Sequence, residues 1–194
     1  MAKAPLIILA GPSGSGKSTI SARLLKDSSL PLRLSVSATT RSKRPYEQNG
    51  DHYWFWTREQ FQEQLRAGAF LERAEVNGES YGTLRSEVDE YRARGIGVLL
   101  DIDVQGAAQV RSRYPDCVSI FIRTSSWEEY EQRLRKRGTE TKEQIARRLA
   151  TAKCELERIH EFDHVVVNDD LETAVAQVRD WIVQAFPKGS SNAG

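Results

Sequence analysis

The stretch whose residue types point most directly to chemistry is Gly11-Pro-Ser-Gly-Ser-Gly-Lys-Ser18, which follows the apolar run of residues 6–10. It matches the pattern Gly-x4-Gly-Lys-Ser/Thr of a phosphate-binding loop between a strand and a helix. Glycines let the backbone curl, so that successive N–H groups at the positive end of the helix point at a polyphosphate. A glycine-rich turn explains the glycines but not Lys-Ser at this offset. The sequence therefore predicts a nucleoside triphosphate site.

Within this loop, the side chains predict how a triphosphate and its metal are held. Lys17 is predicted to bridge the outer phosphates, and the Ser18 hydroxyl to bind a Mg²⁺ ion that the phosphates also hold. The predicted ATP-binding residues of this stretch are Gly11, Ser13, Gly14, Ser15, Gly16, Lys17, Ser18 and Thr19.

A second apolar run, residues 96–103, ends in the acids Asp101 and Asp103. A carboxylate at the C-terminal edge of a buried strand can orient magnesium or its waters, and Asp101 is predicted to do so through water. The period of two residues along a strand places both acids on one face. The alternative is an ordinary strand end capped by acids.

The elements that must position these residues follow an α/β pattern, with helices and strands alternating on both sides of an interruption. The pattern predicts a P-loop core with a parallel sheet flanked by helices, built from residues 1–36, 84–124 and 160–186. Residues 37–83 are predicted to form a small, mostly antiparallel insert, in which Thr57 and Gln60 make a capping box. Residues 125–159 are predicted to be helical, and residues 187–194 a disordered tail.

Composition excludes some classes of function. The chain has 28 basic and 27 acidic residues, a net charge of +1, so it has no global basic field for nucleic acids or anionic membranes. Cys117 and Cys154 have no metal-ligand spacing and are expected to be free thiols in a reducing compartment. The N-terminal apolar run is too short to span a membrane. These features predict a soluble, cytoplasmic protein and leave its oligomeric state open.

Six stretches together resemble the guanylate kinase family, from the phosphate loop nearly to the last predicted helix. They are Gly11 to Thr19, Ser35-Val-Ser-Ala-Thr-Thr-Arg41, Asn77 to Thr83, Leu100-Asp-Ile-Asp-Val-Gln-Gly106, Arg137-Gly-Thr-Glu-Thr141 and Val167-Asn-Asp-Asp-Leu171. The resemblance implies transfer of a phosphoryl group from Mg-ATP to GMP or dGMP, giving ADP and GDP for purine nucleotide synthesis. It also implies that the insert binds GMP and that the segment 125–159 contains a mobile lid over ATP.

Guanine presents N1–H and an amino group as donors and O6 as an acceptor, so its site requires a carboxylate and hydroxyls. The resemblance implies that Glu72 accepts from the two donors and that Ser37 and Thr83 donate toward O6, with Asp103 near the base edge. For the GMP phosphate it implies the set Arg41, Arg44, Tyr53 and Tyr81, in which arginine forks suit bidentate contact.

On the ATP side, the resemblance implies that Arg133, Arg137 and Arg148 are lid arginines that close over the ATP phosphates. It also implies a position near adenine for Asn168. The implied catalytic residues are Lys17, Arg41, Arg137 and Arg148. Arg135 and Arg147 are instead interpreted as a solvated helical face with acidic neighbours. No general base is required, because the acceptor is a phosphate oxygen, and positioning and electrostatics carry the catalysis.

Two residues depart from the family pattern in the acceptor loop, where Lys43 replaces a proline and Tyr46 a glycine. We hypothesise that Lys43 adds positive charge near the acceptor phosphate, which an unchanged Michaelis constant for GMP in Lys43→Ala would contradict. Two other functions stay open at this point. One is a guanylate-kinase-like scaffold that binds a phosphorylated partner without turnover, and the other is a kinase for another phosphorylated small molecule, such as a sugar phosphate.

Overall fold

The structure, a computed structural model, describes residues 3–76, 78–136 and 141–187. No helix within these ranges combines the length and apolarity that crossing a membrane requires. The strands are β1 (Leu6–Ala10), β2 (Leu32–Leu34), β3 (Ala38–Thr39), β4 (Trp54–Phe55), β5 (Phe70–Val76), β6 (Glu79–Leu84), β7 (Gly97–Asp101), β8 (Val118–Arg123) and β9 (His164–Val167). The α-helices are α1 (Lys17–Leu24), α2 (Arg58–Arg66), α3 (Arg85–Ala93), α4 (Val104–Arg113), α5 (Trp127–Lys136), α6 (Lys142–Glu157) and α7 (Leu171–Ala185).

The core is a parallel sheet of five strands in the order β2-β7-β1-β8-β9. The central strand β1 is wholly buried, because helices cover both faces of the sheet. Leu6 and Ile8 pack among residues of α3 and α4, whereas Ile7 and Leu9 pack among residues of α1 and α7. These features confirm the predicted α/β fold class.

A second, separate sheet has four strands in the order β4-β3-β6-β5. Pairing is antiparallel between β3 and β6 and between β5 and β6, but β3 and β4 are parallel. Its interior contains aromatic side chains, among them Phe61 of α2 stacked on Phe70 with ring centroids 4.5 Å apart. The predicted capping box of Thr57 and Gln60 begins α2.

The alternation of apolar and polar residues over 32–40 predicts a single strand. This prediction is wrong, because the structure divides the segment between the two sheets. Ser35 still donates its N–H to the Leu99 carbonyl of the core sheet, at 2.9 Å, whereas the Ser37 carbonyl accepts from Trp54 of the second sheet, also at 2.9 Å. An alternating pattern shows that a segment is extended but does not identify its partners. The partners are set by tertiary pairing.

The predicted position of Asp103 in a strand, on the same face as Asp101, is also wrong. Strand β7 ends at Asp101, and Asp103 is the N-cap of α4, where its Oδ1 accepts from the Gly106 N–H at 2.7 Å. Aspartate favours this position because its side chain satisfies a helical N–H group that has no partner within the helix.

Several predictions fall outside the described residues. Asn77, which the sequence predicts to form a tight hairpin turn with Gly78, is one of them. The others are Arg137, Gly138, which is predicted to end the helix before it, and the tail from residue 188 onward. The division of the chain into core, GMP-binding insert and ATP lid stays a prediction.

Candidate active site

The phosphate loop joins the carboxyl end of β1 to α1, the usual ligand-binding edge of a parallel sheet. Gly11, Gly14 and Gly16 have φ values of 138°, 93° and 96°, which residues with a side chain rarely adopt. Gly11 also passes so close to β8 that a Cβ atom would lie 2.1 Å from the Ile122 carbonyl oxygen. These positions therefore require glycine for the loop to keep this path.

Lys17, the first residue of α1, folds its ammonium group back over the loop. Its Nζ donates to the Gly11 carbonyl at 2.6 Å and lies 3.9 Å from Oδ1 of Asp101. Desolvation raises the pKa of Asp101, while the charge of Lys17 and the Ser18 hydroxyl oppose that shift. The pair therefore places one positive and one negative group at the edge where β1 and β7 end.

Ser18 and Asp101 are the residues that could hold Mg²⁺ here. A hydroxyl and a carboxylate are the hard oxygen donors that this ion prefers, and it usually takes only one or two protein ligands and completes its shell with phosphates and water. Within the described ranges, no group of three or more His, Cys, Asp or Glu side chains could hold a metal ion. This sparse donor set fits magnesium that arrives with a nucleotide.

Asn168 and Arg133 buttress the phosphate loop from the side of β9 and α5. The buried Asn168 amide donates to the Ser15 carbonyl at 2.7 Å, and a Cβ on Gly16 would lie 2.0 Å from the same nitrogen. Arg133 donates to the Asn168 carbonyl at 2.9 Å and pairs with Glu129 at 2.6 Å. Contacts of Asn168 with adenine and of Arg133 with phosphates stay predictions.

Helix α6 brings further arginines to the loop. Arg148 donates from Nη1 to the Ser13 hydroxyl at 2.7 Å. Arg147, which the sequence assigns to a solvated face, lines the cleft beside Arg148. Arg135 pairs with Glu131 at 2.6 Å, four residues away on the exposed helix, as expected of a solvated ion pair.

A continuous cleft of about 380 Å³ runs from the phosphate loop to the second sheet. The residues that line it come from both sheets and from α6, and they are Gly11, Ser13, Lys17, Ser37, Tyr53, Glu72, Ala74, Val76, Tyr81, Asp101, Ile102, Asp103, Arg147, Arg148, Thr151 and Glu155. The predicted triphosphate site and most of the predicted guanine site are therefore two ends of one cavity.

Glu72 is the central group at the far end, and only 4% of its surface is exposed. Its Oε1 accepts from the Thr83 N–H at 2.9 Å and from the Thr83 hydroxyl at 2.7 Å. Burial raises the pKa of Glu72 to about 7, with a smaller increase from the charge of Asp103, while the Thr83 hydrogen bonds lower it. A carboxylate held here without donors on its second oxygen is costly, which favours a ligand that donates N–H groups.

The hydroxyls beside Glu72 have different roles. Thr83 gives its only hydroxyl proton to Glu72, so in this arrangement it has none to donate to a ligand. Ser37 lies 3.3 Å from the Thr83 hydroxyl, oxygen to oxygen, and it is the donor in this contact because the Thr83 proton is already given to Glu72. Donation by Ser37 toward guanine O6 would replace its hydrogen bond to Thr83, and it stays a prediction for both hydroxyls.

The predicted phosphate-binding arginines of the acceptor loop are organised by Glu47, which the sequence had not assigned to the site. Arg41 donates to the two Glu47 carboxylate oxygens at 2.8 and 3.0 Å, and the Arg44 N–H donates to the same carboxylate at 2.8 Å. The Arg41 hydrogen bonds hold the pKa of Glu47 below its ordinary value. Glu47 is buried, although the residues around it in the chain are polar and basic.

Aromatic residues flank this loop. The Arg41 guanidinium carbon lies 5.5 Å from the centre of the Tyr53 ring, which contacts Tyr81 edge to face at 6.0 Å. The Arg44 guanidinium donates to the Tyr46 hydroxyl at 3.0 Å, and Lys43 is exposed. Arg41, Tyr53 and Tyr81 are thus brought together, whereas Arg44 points along the surface toward Tyr46.

Glu155 is an acid in the cleft that the sequence did not single out. It lies on the face of α6 that also carries Thr151, and burial raises its pKa, opposed by the charge of Lys17. Arg147, Thr151 and Glu155 follow one another at intervals of four residues, which places them on one helix face. This spacing could have identified Glu155 only after Arg147 had been assigned to the cleft.

Comparison with known proteins agrees with this geometry. The guanylate kinase family model matches residues 3–185. The chain is 50% identical to a guanylate kinase of Synechococcus sp. strain CC9311 over 171 residues, covering 88% of this chain and 90% of the relative. It is 49% identical to a guanylate kinase of Symbiobacterium thermophilum, covering 93% and 85% respectively.

A solved structure is also similar. The crystal structure of guanylate kinase from Anaplasma phagocytophilum superposes with a TM-score of 0.78 at 31% identity, covering 100% of this chain and 92% of that one. The family model, the sequence relatives and this structure agree with each other and with the cleft. The chain belongs to the guanylate kinase family.

Proposed function

We propose that this enzyme transfers the γ-phosphoryl group of ATP to the phosphate of GMP, giving ADP and GDP. The observation that carries the proposal is the buried Glu72 carboxylate at the opposite end of the cleft from Lys17. A carboxylate with one oxygen saturated by Thr83 and the other beside the cleft complements the paired N–H donors of guanine. The names of the relatives point to the same reaction.

At the donor end, the phosphate loop binds the ATP phosphates through backbone N–H groups. Lys17 supplies a positive charge to the outer phosphates, and its bond to the Gly11 carbonyl already holds it above the loop. Ser18 and Asp101 would hold Mg²⁺, whose charge offsets that of the phosphates. Arg148, anchored on Ser13, and Arg133, beside Asn168, stabilise negative charge that spreads onto the transferred group.

At the acceptor end, Glu72 and Ser37 orient the base while Arg41, Tyr53 and Tyr81 hold the phosphate. Glu47 holds Arg41 in one orientation, so that the guanidinium does not need to be ordered when GMP arrives. Binding at both ends directs an acceptor phosphate oxygen toward the γ-phosphorus of ATP. Because that oxygen is largely deprotonated near neutral pH, positioning and charge stabilisation suffice without a general base.

The test is the initial rate of ADP formation from Mg-ATP with GMP, AMP, UMP, CMP and a sugar phosphate offered separately. A large preference for GMP, abolished when a chelator removes magnesium, is the expected result. If another acceptor is phosphorylated instead, the assignment of the ATP site stands, but the assignment of Glu72 to guanine is refuted. Absence of turnover with every acceptor would refute the kinase and favour a scaffold that binds a phosphorylated partner.

A further inference from the structure

The edge strand of the second sheet, β5, is held to the core by side chains of helix α4. The Gln109 amide makes two hydrogen bonds to one residue of β5: its Nε2 donates to the Arg73 carbonyl at 2.7 Å, and its Oε1 accepts from the Arg73 N–H at 3.2 Å. One turn further along, Arg113 donates to the Leu71 carbonyl and, at 3.3 Å, to the Phe70 carbonyl. Side chains of α4 thus take the place of a neighbouring strand on this edge.

These contacts bracket Glu72, which lies between Leu71 and Arg73. The pairing of β5 with β6 shifts register between Phe70 and Glu72, so that one extra residue enters the strand there. Such a bulge redirects the next side chain and leaves backbone groups without a partner in the sheet. Arg113 satisfies the Leu71 carbonyl at the bulge, and Gln109 fixes the backbone on the other side of Glu72.

Helix α4 also makes room for the Glu72 carboxylate. A Cβ atom on Gly106 would lie 2.6 Å from Oε2 of Glu72, so any side chain larger than hydrogen would displace that oxygen. Gly106 and Gln109 are three residues apart and Arg113 a further four, the spacing of one helix face. One face of α4 therefore both clamps the backbone around Glu72 and sets the depth of its carboxylate.

We infer that Gln109 is a positioning residue that determines specificity for the guanine amino group by fixing Glu72, with Arg113 acting in the same direction. This inference rests on the proposed function, because it gives Glu72 its role toward guanine. Glu72 belongs to the second sheet, whereas Gln109 belongs to α4 of the core. The position of the Glu72 carboxylate is therefore fixed relative to the core and not only relative to the rest of the second sheet. A displacement of about 1 Å at such a contact costs up to about a hundredfold in rate.

The experiment compares kcat/KM for GMP with kcat/KM for inosine monophosphate, which lacks the amino group that Glu72 reads. Gln109→Ala is expected to reduce this ratio about tenfold or more, with the KM for ATP unchanged. Gly106→Ala is expected to reduce the ratio as well, although alanine favours a helix. Gln105→Ala, an exposed position on the same helix, is the matched control and is expected to keep the wild-type ratio.

A double variant separates positioning from general damage. In a Glu72→Gln background, Gln109→Ala is expected to have no further effect on the ratio, because the group it positions is already altered. An unchanged ratio in Gln109→Ala, or an equal further drop in the double variant, would overturn the inference. If the wild-type protein does not phosphorylate GMP at all, the proposed function fails instead, and the two failures are distinguishable.

Discussion

The two ends of the cleft are built in different ways. The donor end is one contiguous stretch in which glycines at positive φ expose backbone N–H groups. The other end, which we propose binds the base, assembles Ser37, Glu72 and Thr83 from separate stretches around a buried carboxylate. Backbone groups bind a polyphosphate whatever nucleoside carries it, whereas a buried side chain discriminates between bases. Donor binding and acceptor choice should therefore be separable by mutation.

The sharpest test of this separation is Glu72→Gln. The amide replaces one acceptor oxygen with a donor that faces the donors of guanine, so kcat/KM for GMP is expected to fall by about 10⁴. Steady-state kinetics should show an unchanged KM for ATP. Near-native use of GMP would remove Glu72 from the base site.

Lys17→Ala should affect the opposite end alone. We expect kcat to fall about a thousandfold with every acceptor, because the positive charge on the outer phosphates is lost. GMP affinity, measured by calorimetry, should stay close to that of the wild type. Lys26→Ala, at an exposed position just after α1, serves as the control. A loss of GMP affinity as large as the loss of kcat would show that the two ends are not separable.

Glu47→Gln tests how the acceptor loop is organised. Loss of the charged partner frees the Arg41 guanidinium, and the KM for GMP is expected to rise about tenfold with little change in the KM for ATP. Glu63→Gln, at an exposed site in α2, is the same chemical change without a buried partner. A lower KM for GMP in Glu47→Gln would mean that neutralisation of Arg41, rather than its orientation, is the main effect of Glu47.

An effect of similar size is the pH dependence expected at the proposed base end. With a pKa of about 7, the charged fraction of Glu72 falls from about 90% at pH 8 to about 10% at pH 6. Because guanine binds the charged form, the apparent GMP affinity should fall about tenfold across this range, as KM measurements would show. The same titration in Glu72→Gln isolates the ionisation of the GMP phosphate, and an equal slope there would contradict the assignment.

The same ionisation affects folding. The pKa of Glu72 in the folded state is above its ordinary value of 4.5, so its protonated form stabilises the fold at low pH. This contribution is lost as the pH rises through about 7. Without bound nucleotide, the Glu72→Gln variant should therefore have a higher Tm than the wild type at pH 8. The difference in Tm between the two proteins should shrink toward pH 4.5.

The contrast between the two ends also explains what the sequence could predict. The loop of residues 11–18 is local, so its spacing alone indicates its path. The regular apolar period over residues 171–185 likewise predicts a helix with the bounds that α7 has. The split between β2 and β3 depends on partners distant in the chain, whereas the cap at Asp103 is a local contact with Gly106 that the prediction of a strand through residue 103 missed. Gln109 and Arg147 are polar residues on amphipathic helices. No local signal in the sequence shows that Gln109 binds the backbone of β5 or that Arg147 lines the cleft, because both have the spacing of solvated surface residues.

The clamp on β5 has a consequence for the behaviour of the protein in solution. A strand at the edge of a sheet exposes N–H and C=O groups to which another chain can add a strand. Gln109 already binds both the N–H and the C=O of Arg73, and Arg113 binds the C=O of Leu71. The contacts that hold β5 therefore also protect this edge of the second sheet from self-association and aggregation.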